Sequence, residues 1–189
     1  MIIAIEAADS IGKDTLIDMI EEKHPEFVFG RFPNEKNSSG EFTRKILLRT
    51  PDLPAIVLQH LFISNFFEDY VWLSYFKRSH TTLILNRYFM STLAYSMAQG
   101  IDVTHFEDIT ALLPQPDLWI LLEGERRGIS VGDRHDVNQE LQINVMKNYR
   151  TLLEGNPGFP HAIIVNNSTP ESMLAKFEIE FEKLKKKMW

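Results

Sequence analysis

The chain contains no cysteine, which excludes a disulfide framework and any thiolate metal site and leaves nothing that points to an oxidising compartment. Positive charge is short as well. The formal net charge is -6 over 189 residues, so no broad basic face is expected to displace counterions from a nucleic-acid duplex. An anionic ligand must instead be met by a local site. No apolar run approaches the length that spans a bilayer, and the start MIIAIEAADS carries no basic leader, so the expectation is a cytoplasmic protein with neither a membrane nor a nucleic-acid partner. Repeats and low-complexity segments are absent too. With 44% hydrophobic residues the chain can bury one substantial core but is too short for two ordinary domains, so residues 1–189 read as a single domain.

What is present is an alternation of short β-branched runs with longer amphipathic stretches, the pattern of an α/β protein. Strands are expected at Ile2–Glu6, Phe27–Arg31, Thr81–Asn86, Asp117–Leu122 and Ala162–Val165. Helices are expected from Lys13 to Glu22, from the caps at Asn37-Ser38-Ser39-Gly40 through Leu48, and in one long run from Ala55 to Phe76. Further helices fall at Ser91–Gln99, His105–Leu113 and Val137–Leu153, with a last one after Ser168-Thr169-Pro170-Glu171. The stretch from Gly124 to about Asp136 holds glycines and clustered charges and reads as a lid. Strands separated by helices pair in parallel through right-handed crossovers, which places a ligand site at their carboxyl ends.

Directly after the first strand stands Ala7-Ala8-Asp9-Ser10-Ile11-Gly12-Lys13-Asp14-Thr15, in the place and spacing of the phosphate-binding motif G-x-x-x-x-G-K-[ST]. Such a loop presents backbone N–H groups to a polyphosphate, sends a lysine to the outer phosphates and adds a helix N-terminus. Gly12 and Lys13 meet these needs, and Ala8 to Thr15 form the expected ATP-binding segment. Two fixed positions depart. Ala7 can stand for glycine only where φ stays negative, and Asp14 replaces the hydroxyl that ligates magnesium, either as a ligand itself or as a charge that repels ATP. The plainer alternative for the whole segment is a strand-to-helix turn with Lys13 in solvent.

Further along, Phe32-Pro33 with Gly40 following, Leu61-Phe62-Ile63-Ser64-Asn65-Phe66-Phe67-Glu68, Asn86-Arg87-Tyr88 with Ser91 and Tyr95, Leu113-Pro114-Gln115-Pro116-Asp117, and Arg126, Arg127 and Asp133-Arg134-His135-Asp136 recur in order over almost the whole length. In these residues the chain resembles the thymidylate kinases. The resemblance implies a three-layer P-loop kinase fold with a parallel five-stranded sheet flanked by helices. It also implies phosphoryl transfer from ATP, with magnesium, to a deoxynucleoside monophosphate, with dTMP as the acceptor, by an enzyme that forms a homodimer.

By the same resemblance Lys13, Arg87 and the lid arginines Arg126, Arg127 and Arg134 are the catalytic cations, with Arg87 as the clamp on the acceptor phosphate. Phe62 would stack on the base; Glu6 and Asp9 would accept the sugar hydroxyl and hold the acceptor; Phe32, Phe66, Ser91 and Tyr95 would complete its pocket. Each has a duller alternative: Phe62 as core, Arg87 paired with Glu68 or Asp117, Tyr95 as helix packing. Three departures stand beside the matches. Glu35 occupies the place of an arginine that helps hold the acceptor phosphate, for which Lys36 or Arg31 would have to compensate. Phe66 replaces a base-reading arginine, and Asn86 an aspartate next to Arg87. A member that has lost catalysis and a P-loop deoxynucleoside kinase therefore remain as alternatives.

Overall fold

A computed structural model describes residues 1–49, 53–125 and 138–188. Ile2, Ala4 and their neighbours form β1 (Ile2–Glu6), a strand without polar alternation because it is covered on both faces. The other strands are β2 (Val28–Arg31), β3 (Leu83–Asn86), β4 (Leu118–Gly124) and β5 (His161–Asn166). They form one five-stranded sheet in the order β2-β3-β1-β4-β5, with every pairing parallel. The chain therefore winds outward from β1 in both directions, and the reversal creates a crevice at the carboxyl end of the central strand.

Strand periodicity divides the core into two layers. Ile3 and Ile5 point to the side covered by α1 (Lys13–Lys23), through Leu16, Ile17 and Ile20, and by α8 (Pro170–Met188), through Met173, Phe177 and Phe181. Ile2 and Ala4 point to the opposite layer, built from α3 (Ala55–Glu68), α4 (Tyr70–Arg78), α5 (Phe89–Ala98) and α7 (Gln139–Gly155). The remaining helices are α2 (Ser38–Arg49) and α6 (Thr104–Thr110). Each fully buried Leu, Ile or Phe removes apolar surface worth about 1.5–3 kcal/mol from water, so the two layers together hold the sheet rigid. Among the described residues no helix is long and apolar enough to cross a membrane.

The sheet, the parallel pairing and the strand positions agree with the sequence expectation to within a few residues. The long helix expected from Ala55 to Phe76 does not run through. It is divided at Asp69, whose carboxylate accepts hydrogen bonds at 2.7 Å from Asn34 Nδ2 and at 2.7 Å from Asn37 Nδ2. Both asparagines stand in the loop after β2, so the break anchors that loop over the cleft described below. Most of the segment read as a lid, including Arg126, Arg127 and Arg134, lies outside the described residues.

Candidate active site

The turn after β1 has the backbone that a phosphate cradle needs. Ser10 and Gly12 have φ of 64° and 100°, while Ala7 keeps a negative φ and so tolerates its methyl group. Room at Gly12 is further limited by Asn166 at the end of β5, whose Nδ2 would lie 2.9 Å from an added Cβ and donates to the Ile11 carbonyl at 2.7 Å. Lys13 opens α1 with its side chain almost wholly buried. Its ammonium donates to Asn86 Oδ1 at the end of β3 and to Asp14 Oδ1 at 3.2 Å. Burial, followed by repulsion from Arg87, lowers the Lys13 pKa from 10.5 to about 8. Lys13 is thus turned into the site, and the alternative of a solvated lysine does not hold.

Asp14 is 63% exposed and lies within 3.5 Å of Arg31. It accepts from Asn86 Nδ2 at 2.7 Å. Partial burial would raise its pKa, but Lys13, the Asn86 hydrogen bond and Arg31 outweigh it and hold the carboxyl at about 2. Asp14 is therefore a carboxylate throughout the neutral range. Among the described residues no group of three His, Asp or Glu side chains could cage a metal. A single exposed carboxylate beside a phosphate cradle nevertheless suits magnesium, which is commonly held by one or two carboxylates together with substrate phosphates and water.

Arg87 follows β3 with φ of 66°, a left-handed backbone that costs a non-glycine residue of order 1–3 kcal/mol and persists only where its surroundings fix it. They do fix it. Its guanidinium pairs with Asp9, donates at 3.3 Å to Ser91 Oγ and at 3.3 Å to Tyr149 Oη, and lies 5.8 Å from the centre of the Tyr95 ring. The alternative partners are engaged elsewhere: Asp117 pairs with Lys77, and Glu68 accepts from the Ser38 and Ser39 amides. Asp9 also accepts from Tyr95 Oη at 2.9 Å and from Gln142 Nε2 at 2.8 Å. Burial would raise the Asp9 pKa, but Arg87 and the Tyr95 and Gln142 hydrogen bonds prevail and lower it.

Behind this layer, Glu6 is fully buried and accepts from the Tyr88 amide at 2.8 Å, Ser91 Oγ at 2.6 Å and Tyr149 Oη at 3.1 Å. Burial pushes its pKa up against these hydrogen bonds. Glu6 does not reach the cleft, so the expected contact with substrate is corrected to a positioning role through Ser91, Tyr149 and the strained Arg87 turn.

These groups converge on a cleft of about 530 Å³ at the carboxyl ends of the strands. Its walls bring together Ala8 to Thr15, Arg87, Ser91 and Tyr95 with Phe32, Phe62 and Phe66, as the sequence pattern requires. Phe62 is only partly buried and faces this space, whereas Phe66 is 2% exposed and packs edge-on to Phe32 and Tyr88, with ring centres at 4.8 and 5.3 Å. Lys36 is exposed and does not line the cleft, which corrects its assignment to substrate binding. The cation near Glu35 is Arg44 of α2, with Nε 3.7 Å from the Glu35 carboxylate and its side chain also lining the cleft. Sequence reasoning missed Arg44, Gln142 and Tyr149. For the last two a signal existed, since they share the buried stripe of α7 with Val145 and Leu153 yet carry polar ends.

Comparison with known proteins agrees with this geometry. The profile of the family described as thymidylate kinase matches residues 5–179. A thymidylate kinase of Schizosaccharomyces pombe is 29% identical over 159 residues, 80% of this chain and 76% of that protein. Two solved thymidylate kinase structures share the fold. The one from Candida albicans superposes with a TM-score of 0.80 at 22% identity, covering 97% of this chain and 92% of the other. The one from Ehrlichia chaffeensis gives 0.75 at 20% identity, covering 95% and 97%. With a profile match over residues 5–179 and a cleft built on the turn after β1 and the Arg87 network, the chain belongs to the thymidylate kinase family.

Proposed function

We propose that this protein transfers the terminal phosphoryl group of ATP to dTMP, giving dTDP and ADP. The observation that carries the reading is the convergence in one cleft of the Gly12–Lys13 cradle, the Arg87–Asp9 pair and the Phe62 face. An acceptor phosphate held by Arg87 faces a donor triphosphate whose outer phosphates lie on Lys13 and the loop amides. An acceptor oxygen then attacks the terminal phosphorus while the bond to the bridging oxygen of ADP breaks. Catalysis is mainly positioning and charge neutralisation, to which the buried Lys13 and the networked Arg87 contribute from the described part of the chain. Magnesium bound with ATP would be held by Asp14 and the phosphates, and supplies charge neutralisation at the phosphate oxygens.

Arg44 and Arg31, rather than Lys36, supply the positive charge that Glu35 withholds. Phe62 offers a face to the base, a contact worth about 1–3 kcal/mol for any nucleobase. Phe66 offers an apolar wall, so discrimination among deoxynucleotides is expected to be moderate. We also propose a cytoplasmic homodimer, whose interface draws on the exposed apolar residues Ile56, Val57, Val71 and Tyr75 of α3 and α4.

The test is a coupled ADP-release assay with ATP, magnesium and a panel of deoxynucleosides and their monophosphates. Turnover of dTMP above its nucleoside supports the reading. Turnover of nucleosides alone would assign a nucleoside kinase, and binding without turnover a member that has lost catalysis.

A further inference from the structure

Among the described residues, two buried polar side chains of the cleft wall make no hydrogen bond. Gln59 of α3 is 2% exposed and lines the cleft, and among the described residues its amide makes no hydrogen bond. Thr92 of α5, also 2% exposed, is in the same position on the facing helix. The amide opens onto the cleft that it lines, so a ligand there is the partner available to it. Gln59 stands three residues before Phe62 and seven before Phe66, which places all three on one face of the helix. A base stacked on Phe62 would share the cleft with the amide.

We propose that Gln59 reads the hydrogen-bonding edge of the acceptor's base, the task left open where Phe66 replaces a charged donor. The chemistry follows from the amide. An arginine only donates and so selects for a carbonyl, whereas a glutamine offers a donor and an acceptor side by side. Facing thymine, Nε2 donates to O4 and Oε1 accepts from N3–H. Turned over, the same amide meets the amino group and ring nitrogen of cytosine. The base specificity inferred is for pyrimidines carrying either pattern, weaker than a fixed charged donor imposes. The inference rests on the proposed acceptor class but not on turnover, because it can be read in binding alone.

The experiment compares the parent with Gln59→Met, a change that keeps volume and chain length. Without ligand, the variant's Tm is expected to stay within about 3 °C of the parent's, since no hydrogen bond within the described fold is removed. Its KM and Kd for dTMP should rise about tenfold, with kcat changed less than threefold. The decisive substrate is the 4-deoxy analogue of dTMP, whose ring lacks O4 and the N3 proton. The parent should prefer dTMP over this analogue by about tenfold, and the variant by less than twofold. An unchanged preference in the variant would overturn the inference while leaving the phosphotransferase reading intact. A parent that binds dTMP without turning it over would remove the activity and still test Gln59 through Kd; a parent that does not bind dTMP would overturn both.

Discussion

Lys13 offers a perturbation in which fold and function move in opposite directions. Its side chain is 8% exposed and its pKa falls from 10.5 to about 8, a gap equivalent to about 3 kcal/mol. Between those two values the unfolded chain binds more protons than the folded one, so stability rises with pH across this window. The cost of the buried charge is full below pH 8 and fades toward 10.5. Lys13→Met removes that cost but leaves Asn86 Oδ1 and the exposed Asp14 without the ammonium, a loss of about 1–2 kcal/mol for two hydrogen bonds. The net gain at pH 7 is then about 1–2 kcal/mol, which for a chain of this length raises Tm by roughly 3–6 °C. At pH 9.5 the parent has recovered about 2 kcal/mol, so the variant's advantage should vanish. Turnover should fall to background at both pH values, because the outer phosphates lose their buried cation. Thermal melts without ligand at the two pH values, paired with ADP release, read all of this. A variant that melts well below the parent, or whose advantage is independent of pH, would refute the burial argument. Retained turnover would refute the cradle.

Two further substitutions address the departures in the site. Asp14→Thr should weaken apparent ATP affinity and raise the magnesium requirement several-fold when the two are titrated separately; tighter ATP binding with faster turnover would show instead that the carboxylate repels the triphosphate. Arg44→Ala should raise KM for dTMP about tenfold with little change in KM for ATP, since Arg44 lines the cleft beside Glu35 in place of an arginine within the loop; an unchanged KM for dTMP would return the compensating role to Arg31.

The parts legible in the sequence were those set by local rules. A β-branched run ending in a glycine-containing turn fixes β1 and the cradle, and the order of strands and helices fixes parallel pairing. Asp69 was not legible as a helix break, because a lone aspartate in an apolar periodic run interrupts it only when Asn34 and Asn37 arrive from elsewhere to hold its carboxylate. Gln59, Gln142 and Tyr149 were hidden for a related reason. Each sits inside a regular amphipathic pattern, and only packing decides whether its polar end turns to solvent, to Asp9 and Glu6, or into the cleft. Glu6 shows the converse. Its place at a strand end suggested substrate, but Ser91, Tyr149 and the Tyr88 amide surround it completely.

The altered loop and the altered strand end prove to be one feature. Asp14 and Asn86 lie 72 residues apart in sequence, yet the Asn86 amide joins Asp14 to Lys13, giving Nδ2 to the carboxylate and receiving the ammonium at Oδ1. A carboxylate in its place could only accept. An aspartate at residue 86 would offer Lys13 an acceptor but set a second carboxylate against Asp14 at hydrogen-bond distance, and like charges that close raise one pKa or force the pair apart. A hydroxyl at residue 14 removes that conflict and frees residue 86 to be charged. The two positions therefore meet in a direct contact, which leaves one carboxylate beside Lys13 at the mouth of the cradle, at the start of α1 rather than at the end of β3.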